Sequence, residues 1–191
     1  MTNLVDGLDW LPNHFQQGFS VTFARGVQPR DLLVRMGCPE ESLAEMTREE
    51  AEEVDMDEDV RVIRAGFLND WGYAVQSWDA HILGEEGELM ARVSEGTEVV
   101  VLVSTATVPW FAYCADGRLV CSFDPGTPLG RYGDEPDRFL AAMERSGVLV
   151  DSPDEEHQPV AAMLRMAEAE FGLALPVEDI VRGELLAGQV V

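Results

Sequence analysis

The chain has 191 residues, 46% of them apolar, which is enough for one domain with a sizeable core and argues against disorder over most of its length. It carries 36 Asp and Glu against 13 Arg and no Lys, a formal net charge of −23. Such a field disfavours nucleic acid and anionic membranes and favours basic partners, and the absence of lysine removes a Walker-A lysine, a Schiff base and a lysine general base.

A GC-rich genome would also produce a Lys-free chain, so the missing lysine is not by itself a functional signature. The apolar run Val99 to Val103 is far too short to cross a bilayer, and no run approaches the length needed. The opening MTNLVDGLDW lacks a basic region followed by an apolar segment, so a cytoplasmic protein is the expectation. Cys38, Cys114 and Cys121 form neither a disulfide framework nor a zinc spacing.

In chain order, residues 1–17 read as an N-terminal arm with Trp10 and Pro12. Phe19, Val21 and Phe23 alternate with smaller residues and predict a half-buried strand. A short helix follows from Pro29, with Leu32, Leu33 and Met36 inward and Gly37 at its stop. Residues 39–59 are an acidic insertion in which eleven of 21 residues are Asp or Glu. Within it Thr47 and Glu50 match a capping box, predicting a helix from Arg48.

Strand signals resume at Val60–Arg64 and continue, after the turn signal Asn69-Asp70, through Trp71, Tyr73 and Val75. Residues 85–93 read as a brief helix with Leu89, Met90 and Val93 inward. EVVVLVST reads as a strand buried on both faces, hence central. WFAYCADGRLVCSF predicts a hairpin with a type I′ turn at Asp116-Gly117. An unbroken register would put Trp110, Ala112, Cys114, Leu119, Cys121 and Phe123 on one apolar face, with both thiols as core groups. Helices are expected from Pro136 to Gly147, from Pro159 to Phe171 and from Pro176.

The fold class predicted is α+β: a mostly antiparallel sheet of about five to six strands with helices packed on one face and a helical C-terminal third. The layout is a single domain, 1–191, with a sheet-rich part at 18–125 and a helical part at 134–191.

Searching for chemistry yields little. There is no Gly-x-Ser-x-Gly, Ser-x-x-Lys, GxGxxG or P-loop. His14, His81 and His157 are scattered. Asp55, Asp57 and Asp59 imitate the start of an EF-hand loop, but Val60 stands where Gly is needed and Gly66 where the bidentate Glu is needed. No metal or cofactor is expected. Arg131 and Tyr132, in the loop Gly126–Gly133, could hold an anion. Trp78 is a candidate exposed aromatic, the residue type that favours interfaces.

The order of LDWLP, FSVTFARG, DLLVRMG, WGYAVQSW, SEGTEVVVL and FAYCADGRLVCSFDP, followed by the helical tail, resembles a family of small acidic actinobacterial proteins catalogued only as a domain of unknown function. The likeness spans roughly residues 6–188. It implies a bacterial, cytosolic protein and no particular activity.

The reading is a non-enzymatic binding module whose acidic surface engages a basic protein, in the manner of an immunity protein, inhibitor or regulatory adaptor. Direct binding of nucleic acid or membrane is not expected. The contact residues are expected to be Glu49, Glu50, Glu52, Glu53, Asp55, Asp57, Glu58, Asp59 and Trp78. The alternatives are an enzyme with an unrecognised carboxylate/Arg site, a ligand- or metal-responsive sensor, and a subunit of a larger assembly. Oligomeric state is left open.

Overall fold

The computed structural model describes residues 7–56, 60–77, 87–105, 109–150 and 156–190. Predictions on Asp57, Glu58, Asp59, Trp78, His81 and residues 85–86 lie outside the described residues.

The strands are β1 (Gly18–Arg25), β2 (Ala44–Met46), β3 (Arg61–Leu68), β4 (Trp71–Ser77), β5 (Glu98–Thr105), β6 (Pro109–Ala115), β7 (Arg118–Phe123) and β8 (Leu185–Val190). They form one sheet in the order β2-β8-β3-β4-β1-β5-β6-β7, with every neighbouring pair antiparallel. The helices are α1 (Leu11–His14), α2 (Pro29–Arg35), α3 (Arg48–Val54), α4 (Gly87–Val93), α5 (Leu140–Ser146), α6 (Pro159–Phe171) and α7 (Val177–Val181).

The alternation along the central strands builds two cores. Phe19, Val21 and Phe23 of β1 join Val100 and Leu102 of β5 on one face, beneath α1, α5, α6 and α7. Val99, Val101 and Val103 face the other way, against α2 and α4. The uninterrupted apolar run of β5 is therefore explained as expected: both of its faces are covered, and it pairs with β1 and β6.

The structure corrects four expectations. The sheet has eight strands rather than five to six. Helices cover both faces rather than one, because β1 and β5 bury side chains in both directions. The C-terminal third is not helical throughout: after α7 the segment Leu185–Val190 inserts as β8 between β2 and β3. Its Leu-Leu-Ala start carries no period-two pattern, so only tertiary pairing shows it to be a strand.

The fourth correction concerns the hairpin. Ala115 faces Arg118 and Cys114 faces Leu119, as expected, across a turn in which Asp116 (φ 48°) and Gly117 (φ 75°) take the left-handed conformations a type I′ turn requires. The register then slips by one, so that Tyr113 faces Cys121 and Phe111 faces Phe123. Val120 is the extra residue of a β-bulge, and both Val120 and Cys121 enter the α6-side core. Cys114 lies on the opposite face, so the two thiols do not share one. The slip brings the large rings of Phe111 and Phe123 into a stack at 4.7 Å in the larger core, with Ala112 and half-buried Trp110 on the other side.

Both sheet edges are managed. Beyond β7 the returning chain covers the edge: Ser122 and Tyr132 exchange backbone hydrogen bonds of 2.8 and 2.9 Å, and Asp134 N–H and Glu135 N–H donate to the carbonyls of Leu119 and Val120. The other edge, β2, is only three residues long and carries exposed Glu45.

Candidate functional site

The acidic insertion folds as a 3₁₀ turn (Glu40–Ser42), β2 and α3. The capping box at its centre forms as read from sequence: Thr47 Oγ1 accepts from Glu50 N–H at 3.2 Å, and Thr47 N–H donates to Glu50 Oε2 at 2.8 Å. The Thr47 backbone and hydroxyl donors hold the Glu50 carboxyl below its ordinary pKa. Glu50 is thereby committed to starting the helix.

Helical periodicity then sorts the remaining residues. Ala51 and Val54 turn inward onto Val62 and Ala187. Arg48 and Glu52 point along the side of the helix, and their Nε–Oε1 distance is 2.6 Å. The Arg48 guanidinium also sits 4.3 Å above the Phe15 ring. Ser77 Oγ donates to the same Glu52 oxygen at 3.2 Å. Glu49, Glu53 and Met56 follow an i, i+4, i+7 stripe on the exposed side of the helix and its end.

Between this helix and the α1–β1 turn lies a cleft of about 630 Å³, within the range of small-molecule and side-chain pockets. Among the described residues its walls are Asn13, His14, Gln16 and Gln17 on one side and Arg48, Glu49, Glu52, Glu53 and Met56 on the other, with Ser77 at the base of β4. Glu49 and Glu53 make no hydrogen bond or ion pair among the described residues, whereas Arg48 is engaged by Glu52 and Phe15. The wall is therefore net negative, with two solvent-facing carboxylates one helical turn apart.

The structure thus brings together Glu49, Glu52 and Glu53 out of the acids named from sequence. Glu50 serves the capping box, and Asp55 accepts a hydrogen bond from Val62 N–H at 2.6 Å, tying the end of α3 to β3. The cleft-lining residues that sequence reasoning missed are His14, Gln16, Gln17 and Ser77. No motif singles them out, and only the return of β4 beside the α1–β1 turn assembles them.

Arg131 lies apart, near β7. Its guanidinium pairs with Asp137 at 2.6 Å and donates to the Pro128 carbonyl at 3.3 Å. The Tyr132 ring beside it is exposed. Burial raises the thiol pKa values of Cys38, Cys114 and Cys121, to about 11, 12 and 11, which keeps all three protonated and poorly nucleophilic at neutral pH. No group of three or more potential metal ligands occurs among the described residues.

One buried charge stands out from this pattern. Arg64 of β3 is 5% exposed, and its guanidinium donates to three backbone carbonyls: Met46 at 3.2 Å, Ile180 at 2.9 Å and Gly183 at 2.9 Å. Burial lowers its pKa, reinforced by nearby Arg48 and opposed by Tyr73 and Glu52. Its role is to join β2, α7 and the approach to β8.

The family described as a family of unknown function, DUF6461, matches residues 6–179. The chain belongs to this family. The matched stretch includes the capping box, α3 and both walls of the cleft, and it ends before β8. No curated protein and no solved structure shows a significant match to the chain. No helix among the described residues is long and apolar enough to cross a membrane.

Proposed function

We propose that this protein is a non-enzymatic binding module in which the exposed face of α3 and the adjoining cleft engage a basic protein partner. The observation that carries this reading is the pairing pattern on α3. Arg48 is spent on Glu52 and Phe15, while Glu49 and Glu53 stand one turn apart, facing solvent at the rim of a concave surface. Like charges at that spacing destabilise a helix by a few tenths of a kcal/mol, and an incoming cation relieves the repulsion. Exposed Met56 beside them offers an apolar surface for the aliphatic stem of an arginine or lysine whose head reaches the carboxylates. The net charge of −23 adds long-range steering toward a basic surface.

The partner would be of the kind met by immunity proteins, inhibitors or regulatory adaptors, and the setting the cytosol of an actinobacterium. Affinity capture from host lysate with the wild-type chain and with E49R/E53R tests the reading. A basic protein retained by the wild type at low salt, released at high salt and not retained by the variant is the expected result. Equal retention by both forms, or no specific protein with either, counts against it.

A further inference from the structure

We propose that the corner of the cleft made by Phe15, Glu52 and Ser77 is a guanidinium-binding site, that Arg48 fills it in the free chain, and that the basic partner enters through an arginine that takes the place of Arg48. This deepens the partner-binding reading and rests on it for the source of the incoming arginine. The guanidinium site itself is a property of the chain alone.

The corner offers both surfaces that a guanidinium uses. For its face there is the Phe15 ring, whose centroid lies 4.3 Å from Arg48 Cζ, well inside the reach of about 6 Å over which a cation and a ring attract. For its edge there is Glu52, whose Oε1 takes Arg48 Nε–H at 2.6 Å. An ammonium has no plane to lay on the ring while it donates sideways to a carboxylate, so the corner selects arginine over lysine. Phe15, Arg48, Glu52 and Ser77 all line the cleft, and Arg48 is the only arginine among the described residues that do.

Arg48 occupies this corner without building it. Phe15 is 4% exposed and packs against Trp10, with 6.2 Å between ring centroids. Glu52 Oε1 accepts a second hydrogen bond, from Ser77 Oγ at 3.2 Å. Ser77 is fixed at the end of β4, where it pairs with Phe19 of β1. Thr47 and Glu50 cap α3 without the Arg48 side chain. Each wall is therefore placed by something other than Arg48 and stays when Arg48 leaves, which is the preorganisation that favours a ligand.

The hold on Arg48 is light by comparison. Its partner is an i,i+4 neighbour on the same helix, and the two side chains are 23% and 38% exposed. Ion pairs of this kind are individually weak and screened by salt. Arg48 thus acts as an internal competitor. While it is seated, an incoming arginine must displace it to reach Glu52 and the Phe15 face.

The test is an NMR titration of the intact wild-type chain, R48A and R48A/E52Q with methylguanidinium chloride at constant ionic strength, with methylammonium chloride as the comparison cation. R48A keeps the Thr47/Glu50 cap, and alanine suits a helix. In R48A, methylguanidinium should give saturable shifts at the Phe15 ring and the Ser77 amide. Its affinity there should exceed that of methylammonium, and its own affinity for the wild type, by about threefold or more, the factor that corresponds to a cation–ring contact at an exposed site. R48A/E52Q should lose this binding. Equal affinity of methylguanidinium for wild type and R48A overturns the occupation of the site by Arg48. Equal responses to the two cations, or no saturable shift at Phe15 in R48A, overturn the guanidinium site. These outcomes are read without any partner, so they are separate from the capture experiment with E49R/E53R.

Discussion

Arg64 Nη1 lies 2.9 Å from the carbonyl oxygen of Ile180, 116 residues further along the chain. With its bonds to Met46 and Gly183, this side chain satisfies main-chain acceptors on β2 and at the C-terminal end of α7, two segments that the sequence order keeps far apart. Replacing it with methionine keeps much of the volume and leaves all three carbonyls without this donor. Hydrogen bonds to charged groups contribute about 1.5–3 kcal/mol each and are not additive, so Arg64→Met should destabilise by about 2–4 kcal/mol. Arg64→Lys should recover only part of this loss, because an ammonium cannot present the planar fork. Urea denaturation of the three forms measures the effect. A loss below about 0.5 kcal/mol in Arg64→Met, the range of an ordinary surface substitution, would show that these bonds do not hold the segments together.

Thr22 sits at the centre of β1, 1% exposed, and its hydroxyl has no hydrogen-bond partner among the described residues. A buried hydroxyl without a partner carries an unrecovered desolvation cost of about 1–3 kcal/mol, and valine has the same shape without that cost. Thr22→Val should therefore raise stability by about 1 kcal/mol. A fall of that size in a denaturant titration would mean that the hydroxyl is satisfied in solution, for example by a buried water.

Glu50 gives a pH signature to the acidic block. Its folded pKa is depressed, first by the Thr47 backbone donor and then by the Thr47 hydroxyl. A depressed carboxyl contributes stability that is present above its unfolded pKa, about 4.3, and is lost as pH falls through the lower folded value. The start of α3 should fray in that acidic window while the central sheet persists. NMR titration should place the Glu50 carboxyl midpoint below the ordinary glutamate value. A midpoint at or above that value would rule out a charged capping box in solution.

Much of the fold is readable from local pattern. The period of two in Phe19, Val21 and Phe23, the apolar run of β5, the Asp116-Gly117 turn, the Pro159–Phe171 helix and the Thr47/Glu50 box are all found where the residues place them. What escaped depends on contacts distant in sequence. The bulge at Val120 leaves no trace in the alternation of its own strand and is fixed by which rings fill the core beneath α6. The three-residue β2 and the strand β8 acquire their identity only from each other and from β3. The cleft follows the same rule. Its acidic wall is written in the spacing of Glu49, Glu52 and Glu53, whereas the opposite wall of His14, Gln16 and Gln17 arrives through folding.

The central claim, that Glu49 and Glu53 at the cleft rim engage a basic partner, is tested most directly by titrating a captured partner against the wild-type chain and E49R/E53R over a range of salt concentrations. The wild type should bind with an affinity that falls steeply as salt rises. Reversal of both charges should weaken binding tenfold or more, since close interfacial charge pairs couple by about 1.5 kcal/mol or more, while circular dichroism of the two forms stays alike. Equal affinities for wild type and E49R/E53R, with the same salt dependence, would contradict the claim.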